Sequence, residues 1–445
     1  MCHVRQKAAT TRTAFADSCQ PQTGSETTRR LCWCGSPIFD STVKDGRGKP
    51  VPTALLTLGR LPKALTLARA LKSRGYRVVV AEPFKWHVAR ASNSVDASYY
   101  LPPPNTNPKL YRDTILALIQ HESVDLLVPV SEEAHHVLPL ASQLPENVEL
   151  IGPAHQLYQE LSHKLHFIEK AGALGLRVPA TFAIDDPRAT TLAREADHVK
   201  KPVRGCSGME VSLCDQGTPH DPLDSGYVIQ EQIVGQPVST LSLVRQGSVV
   251  GTSIYEGRVF AGTVAVGFER CSPGSPGETS VRQWVETLID SLDYEGFIAF
   301  DFIVDKNGLA WPIECNPRLT SGIHFFDEAS LGDAVAGNFP LRAVYSNTVD
   351  RWQWGYSTLT EAYAALFRGN WREALRIFKW LASSRDVVWS WRDPLPFLLM
   401  TPLSWPILKS ALFKGMSLGE ACQRDIAPLW ETSPGASLEQ SGSEA

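Results

Sequence analysis

The segment FDFIVDKNGLAWPIECNPR, from Phe300 to Arg318, constrains this chain more than any other stretch. Apolar and polar residues alternate on both sides of Asn307-Gly308, and Asn-Gly set between such runs is the strongest short signal for a β-hairpin. A two-residue turn of that kind needs positive φ at both central residues. With Asn307 and Gly308 as the turn, Lys306 pairs with Leu309, and counting outward puts Asp301 opposite Glu314. Directly opposed Cβ atoms lie about 4.5–5.5 Å apart, and like charges there destabilise the ladder unless something positive joins them. Strand side chains alternate, so Asn316 and Arg318 follow Glu314 on the same face, while Phe300, Phe302, Trp311 and Ile313 supply an apolar opposite face. Two carboxylates, an amide oxygen and a guanidinium suit Mg²⁺ carrying phosphate: hard oxygens for the metal, a planar fork for phosphoryl oxygens. The plainer alternative is a solvated hairpin face with incidental acids.

Before this hairpin the chain alternates strand and helix. TALLTLG reads as a strand ending at Gly59-Arg60, and PKALTLARALKSRG as a helix with Pro62 near its start and Gly75 past its end. YRVVVAE, a helix over 109–121 and SVDLLVPVSEE follow. This order predicts a parallel sheet with crossover helices, a small doubly wound domain over about 51–150. Ligands of such sheets sit beyond the strands' carboxyl ends, where Gly59, Arg60, Ser131 and Glu132 fall. Gly59-Arg60 reads equally well as a tight strand-to-helix turn. One helical stretch covers 155–175, and HVKKPV, YVIQEQIVG and TLSLVRQGSVVGTSIYEG make the region 151–345 a mixed α+β unit.

From residue 346 the composition shifts, with eight of the twelve tryptophans between Trp352 and Trp430. Tyr363, Leu366 and Phe367, then Trp371, Leu375 and Phe378, repeat at helical spacing. They predict two amphipathic helices broken near Gly369-Asn370, with these residues facing inward and the tryptophans packing a core or lid. The apolar run 393–413 holds Pro394, Pro396, Pro402 and Pro406, which argues against a membrane-spanning helix.

Composition narrows the function. With 43% apolar and 20% charged residues and a net charge of −4, the chain suits a globular protein handling small molecules rather than nucleic acid. Nine cysteines without framework spacing read as reduced thiols in a cytoplasmic setting. Residues 1–50, rich in Thr, Ser and Arg, read as a disordered leader that leaves organellar targeting open, and the sequence leaves an oligomer open as well.

Glu-Cys-Asn-Pro-Arg at 314–318, preceded by Asp301 on a strand, resembles the Mg²⁺-binding signature of ATP-grasp ligases of the carbamoyl-phosphate-synthase type. Further likenesses follow in register over 51–330. HKLHF resembles the family's first phosphate-lysine motif, with Lys164 the lysine and His163 where an acid is usual. KKPVRGCSGMEV resembles its Lys-Pro strand and glycine-rich lid, with Lys201 the second lysine and Gly205, Ser207 and Gly208 in the lid. IQEQIVG resembles the adenine-binding hinge, with Glu231 and Ile233 at the matching positions; where the family often holds ribose with a glutamate, this chain has Gln236-Pro237-Val238-Ser239.

The resemblance implies an ATP-grasp fold: a doubly wound domain, two α+β ATP-binding subdomains over 151–345, and a mostly helical C-terminal region over 346–445. It implies ATP with Mg²⁺, or Mn²⁺ in its place, on Asp301, Glu314 and Asn316, and Arg318 at the reacting phosphate. It implies a C–N ligase that phosphorylates an acid and couples it to an amine. Length and RDVVWSWRDPLPFLLMTP resemble the mycosporine-glycine synthases, which join glycine to 4-deoxygadusol, an enol equivalent to a vinylogous acid. A carboxylate–amine ligase making dipeptides and a non-catalytic ATP sensor are the alternatives. Acceptor contacts are expected in 320–326, where His324 reads either as a contact or as packing.

Overall fold

The computed structural model describes residues 51–205, 210–337, 348–414 and 418–426. Strands β1 (Thr53–Leu56), β2 (Arg77–Glu82), β3 (Ala97–Tyr100), β4 (Leu126–Val128) and β5 (Glu149–Leu150) form a parallel sheet in the order β3-β2-β1-β4-β5. Their near-continuous apolar sequence follows from burial on both faces. Helix α1 (Pro62–Ser73), opened by Pro62 where a missing N–H is harmless, covers one face with Ala64, Leu67, Ala68 and Leu71. Helix α2 (Pro108–His121), capped by the Asn107 side chain accepting from the Leu110 N–H, covers the other with Tyr111, Ile115 and Leu118. Burying each such leucine or isoleucine fully contributes about 1.5–3 kcal/mol. A short helix α3 (Ala134–Val137) follows β4, and the order reverses between β1 and β4, the crevice position of a doubly wound sheet.

The helical stretch expected over 155–175 is two helices, α4 (His155–Ser162) and α5 (Lys164–Ala173). His163 is extended between them and its Nδ1 accepts from the His166 N–H at 3.4 Å, so it is the N-cap and Lys164 opens α5. A small antiparallel sheet of β6 (Thr181–Ala183), β7 (His198–Pro202), β8 (Ser212–Cys214) and β9 (Tyr227–Glu231), ordered β6-β9-β7-β8, carries α6 (Pro187–Glu195).

The large sheet holds β10 (Gly235–Arg245), β11 (Ser248–Ala261), β12 (Val264–Arg270), β13 (Gly296–Asp305) and β14 (Ala310–Asn316), extended by β15 (Arg351–Gln353) and β16 (Arg385–Asp386) in the order β14-β13-β10-β11-β12-β15-β16. One face packs Phe300, Phe302 and Ile254 under α7 (Pro276–Asp290) and α5, through Trp284, Val285, Leu288 and Phe167. The other face sends Leu241, Leu243, Phe297 and Ala299 into the same cluster as α1 and α8 (Glu328–Val335), so the two sheets share one core.

The 300–318 hairpin corrects the turn but keeps the pair. Asn307 has no positive φ; Gly308, at +76°, is the left-handed residue, and the Gly308 N–H donates to the Asp305 carbonyl at 2.9 Å. The loop is therefore a residue longer than Asn-Gly alone, pairing Val304 with Ala310, and a one-residue bulge between Asp301 and Phe302 restores Asp301 opposite Glu314.

Beyond the sheets, α9 (Gly355–Phe367) and α10 (Trp371–Ser383) break at Gly369-Asn370 as the sequence indicates, with the Asn370 side chain accepting from the Glu373 N–H. Their faces are the reverse of the expected ones, except that Phe378 packs against the buried cluster. Ala362, Ala365, Ala374, Ile377 and Trp380 are buried against Val259 and Val266, while Tyr363, Leu366, Phe367, Trp371 and Leu375 are exposed. Alanines permit closer approach to the strands than the bulky stripe would, and the exposed Phe367, at 87%, shows which face won. The tryptophans divide likewise: Trp352 and Trp354 pack on Val388, whereas Trp371, Trp391 and Trp405 are exposed. After α11 (Leu395–Leu398), helix α12 (Met400–Lys414) runs through Pro406 and is followed by α13 (Leu418–Gln423). Prolines therefore do not break α12; its 15 residues are simply fewer than the roughly 20 a span requires. Among the described residues no helix is long and apolar enough to cross a membrane.

Candidate active site

Asp301 and Glu314 stand opposite each other on β13 and β14, the edge strand pair of the large sheet. Burial first, and the Glu314 charge second, push the Asp301 carboxyl up to about 6, against hydrogen bonds that favour its ionised form. Those bonds come from the Ser239 hydroxyl on β10, at 2.6 Å, and the Asn316 amide, at 3.0 Å. An acid raised this way by a like charge is a group awaiting a cation. The donor set fits a hard divalent ion, with one adjustment: the Asn316 Oδ1 accepts from Arg318 at 2.9 Å, so its use as a ligand requires that bond to open.

Two lysines reach the same place. Lys164, at the start of α5, has its Nζ 3.6 Å from Glu314 Oε1 and donates to the Gly205 carbonyl at 3.2 Å. Its backbone N–H donates to the Val203 carbonyl at 2.8 Å, tying α5 to the end of β7. Lys201, on β7, donates to Gln230 Oε1 at 2.8 Å and to the Ile313 carbonyl at 2.6 Å. Burial, reinforced by Lys164, lowers its ammonium to about 7, while Glu314 and Asp301 pull the other way. An arriving anion would restore the proton.

Arg318 follows β14 and pairs with Glu132, beyond the carboxyl end of β4, joining the large sheet to the crevice of the first sheet. A cleft here is lined by Glu132, Tyr158, Ser162, Gly205, Glu314, Asn316 and Arg318. Lys63 on α1 reaches toward it as well, donating to Ser131 Oγ at 3.0 Å and the Leu319 carbonyl at 2.8 Å. Arg60 does not: it is buried in an ion pair with Glu82 and Asp425. Gly59 is a packing residue, because a Cβ there would lie 2.3 Å from His87 Nδ1. His324 is buried, 2.9 Å from Thr66 Oγ1, and burial with Lys63 and Arg69 nearby lowers its pKa to about 3, which makes it a neutral packing group.

Of the residues singled out in the sequence, Lys164, Lys201, Gly205, Asp301, Glu314, Asn316 and Arg318 meet in this one cluster. Glu231 and Ile233 stand at the exit of β9, where Glu231 adjoins Gln230, the acceptor of Lys201; the Glu231 carboxylate accepts from the Ala180 N–H at 3.2 Å. Ser207 and Gly208 lie outside the described residues. Sequence reasoning gave no role to Ser239, Gln230, Tyr158 or Lys63. Ser239 carried a signal as the last residue of the segment at the expected ribose position, and Gln230 as part of the IQEQIVG hinge; Tyr158 and Lys63 sit in ordinary helix patterns and carried none.

Residues 161–322 match the family described as ATP-grasp domain. No curated protein sequence matches the chain significantly. The fold is similar to N5-carboxyaminoimidazole synthetase from Staphylococcus aureus complexed with ADP, at 17% identity and a TM-score of 0.52 over 70% of this chain and 83% of that one. It is also similar to the biotin carboxylase domain of Hydrogenobacter thermophilus 2-oxoglutarate carboxylase in complex with MgADP, ADP and bicarbonate, at 16%, 0.53, 66% and 71%. A third similar structure is an L-amino acid ligase from Bacillus licheniformis, at 15%, 0.51, 68% and 78%.

Proposed function

We propose, on the premise that this chain carries an ATP-grasp domain, that it is an ATP- and Mg²⁺-dependent ligase coupling an acid or vinylogous acid to an amine. The observation that carries the reading is the convergence of Lys164, Lys201 and Arg318 on the opposed pair Asp301 and Glu314. Lys164 and Lys201 receive the phosphate oxygens, and Lys201 gains its proton as they arrive. Asp301, Glu314 and Asn316 hold Mg²⁺, whose charge when bound offsets that developing on the β- and γ-phosphates. Gly205, which lines the cleft, helps exclude water from it. The acceptor oxygen attacks the γ-phosphorus as the bond to ADP breaks, and Arg318, released from Asn316 and Glu132, faces the transferred group. An amine nitrogen then adds at the activated carbon, loses a proton and expels phosphate. Glu231 and Ile233 serve the adenine, at the exit of β9.

Among acceptors, the reading is 4-deoxygadusol plus glycine, giving mycosporine-glycine. Its support is the sequence likeness of 385–402, a segment docked on α1 through Asp393, which accepts from Arg69 at 2.9 Å and from the Asn93 N–H at 3.0 Å. ADP formation is measured with Mg²⁺-ATP, 4-deoxygadusol and glycine, each omitted in turn, with mass spectrometry of the product. ADP that requires both acceptors, together with a glycine adduct, is expected. ADP with a carboxylic acid and an amino acid instead would move the assignment to a carboxylate–amine ligase. Nucleotide binding without turnover on any pair, unaffected by Glu314→Ala, would leave a sensor.

A further inference from the structure

The small sheet holds a cluster that the nucleotide cleft does not use. On the β7 and β8 ladder His198 stands directly opposite Cys214, and the following loop brings His220 back to both. One donor atom from each of the three lies within 4.8 Å of the others. His198 is buried, and its Nδ1 sits 3.0 Å from the Ala196 carbonyl. A carbonyl only accepts, so Nδ1 carries the proton and Nε2 presents a lone pair. That lone pair faces His220 Nε2 at 2.5 Å, with the two rings edge to face at 85°. Two bare imidazole nitrogens repel at this separation; a proton or a cation must lie between them. The Cys214 sulfur, whose contact with the Ser212 carbonyl is a long 3.8 Å, stands beside them.

We propose that His198, Cys214 and His220 form a site for a borderline-soft divalent cation, with Zn²⁺ the best match, that clasps β7, β8 and the 215–226 loop together. Two imidazoles and a thiolate are zinc's preferred donors, and three protein ligands leave a fourth tetrahedral position for water. At Zn–N of about 2.0–2.1 Å and Zn–S of about 2.3 Å, tetrahedral geometry separates two nitrogens by about 3.3 Å and a nitrogen from sulfur by about 3.6 Å. The two nitrogens, at 2.5 Å, would have to open to the first value to take the ion, and the sulfur lies within 4.8 Å of both histidines' donor atoms. The Nδ1 bond to Ala196 is the outer contact that orients a metal-bound histidine. Binding expels the thiol proton. The site is chemically unlike the hard-oxygen set at Asp301 and Glu314, and it does not depend on the ligase reading. Its consequence is positional: β7 carries Lys201 and leads to Gly205 at the cleft, so the clasp fixes the far end of the strand that places them.

The test uses the full chain with Cys2, Cys19, Cys32 and Cys34 changed to serine, so that N-terminal thiols cannot answer for Cys214. After chelator treatment the protein is titrated with Co²⁺ and then Zn²⁺, followed by absorption. One equivalent of Co²⁺ should produce a thiolate-to-cobalt charge-transfer band with the visible bands of four-coordination, and one equivalent of Zn²⁺ should bleach both. Cys214→Ser should abolish the charge-transfer band, and His220→Asn, in a loop, should weaken Zn²⁺ by more than the roughly 10–100-fold typical of outer contacts. Zn²⁺ should raise the melting temperature of the parent and of neither variant, and metal-free melts of all three should agree, showing that each folds. Absence of the band in the parent, or a band that survives Cys214→Ser, overturns the proposal; the first result would leave a proton shared between the two imidazoles.

Discussion

Two buried charge clusters in this molecule differ in how their charges are paired. In the first sheet Arg60 is completely buried yet complete: it donates to Glu82 at 2.8 Å and grips Asp425 with both Nη atoms, at 2.6 and 2.8 Å, while its guanidinium lies 3.9 Å from the centre of the Phe84 ring. Burial alone would raise the Glu82 carboxyl, but Arg60, His87 and the Gly59 N–H outweigh it and leave the pKa below its usual value. On β13 and β14, Asp301 faces Glu314 and Lys201 neighbours Lys164, so like groups are set together and both Asp301 and Lys201 are driven toward neutrality. Opposite charges in contact hold the fold. Like groups set together are perturbed, and such perturbed groups gather at functional sites.

The sharpest way to break this comparison is at Glu82. Glu82→Ala removes one carboxylate from a buried guanidinium, and denaturant unfolding should lose about 3–5 kcal/mol. A loss under about 1 kcal/mol would mean that Asp425 alone suffices.

The opposite sign is expected at Asp301. Asp301→Asn should leave the melting temperature unchanged or higher, since an amide removes the cost of burying the carboxylate and, secondly, its repulsion by Glu314, together on the order of 1–3 kcal/mol at neutral pH. Acceptor-dependent ADP formation should fall about 10²–10³-fold. Parallel loss of stability and turnover would make Asp301 structural.

Lys201 gives a pH signature. Unfolded, it holds its proton to about 10.5, and folded it releases it near 7, so between those values the unfolded chain binds more protons and the Lys201 contribution to stability rises with pH. ADP affinity should move the other way, weakening above pH 7, and calorimetry at pH 8 in two buffers of different ionisation heat should register proton uptake. Lys201→Met should abolish both effects. The smallest change is expected where charges are exposed: Glu373→Ala removes its pair with Arg376 on α10, 2.6 Å long and half in solvent, and should alter stability by less than about 0.5 kcal/mol.

Legibility in the sequence follows the same division. The Asp301–Glu314 pair was readable because hairpin alternation leaves few registers, although the turn was read as two residues and a bulge offset that error. The break at Gly369-Asn370 was readable from turn chemistry, but the inward face of α9 and α10 was not. Periodicity locates an apolar stripe, and here Ala362, Ala365 and Ala374 met the sheet instead. Arg60 at a strand's carboxyl end looked equally like a ligand contact and a turn; Asp425, more than 350 positions later, decided it. Glu132 was placed at the crevice by strand order, but its bond to Arg318 required the two sheets to share a core.

By itself the sequence determined the alternation of strands and helices in the first domain, the hairpin with opposed carboxylates, and the order of lysine, glycine and acidic motifs, because each depends on neighbours within a few residues. Only the tertiary structure decided which charges are paired with opposites, which helix face is covered, and that His198, Cys214 and His220 converge. Those outcomes depend on contacts between distant segments, where burial removes water and makes the identity of the one nearby partner govern each group's charge.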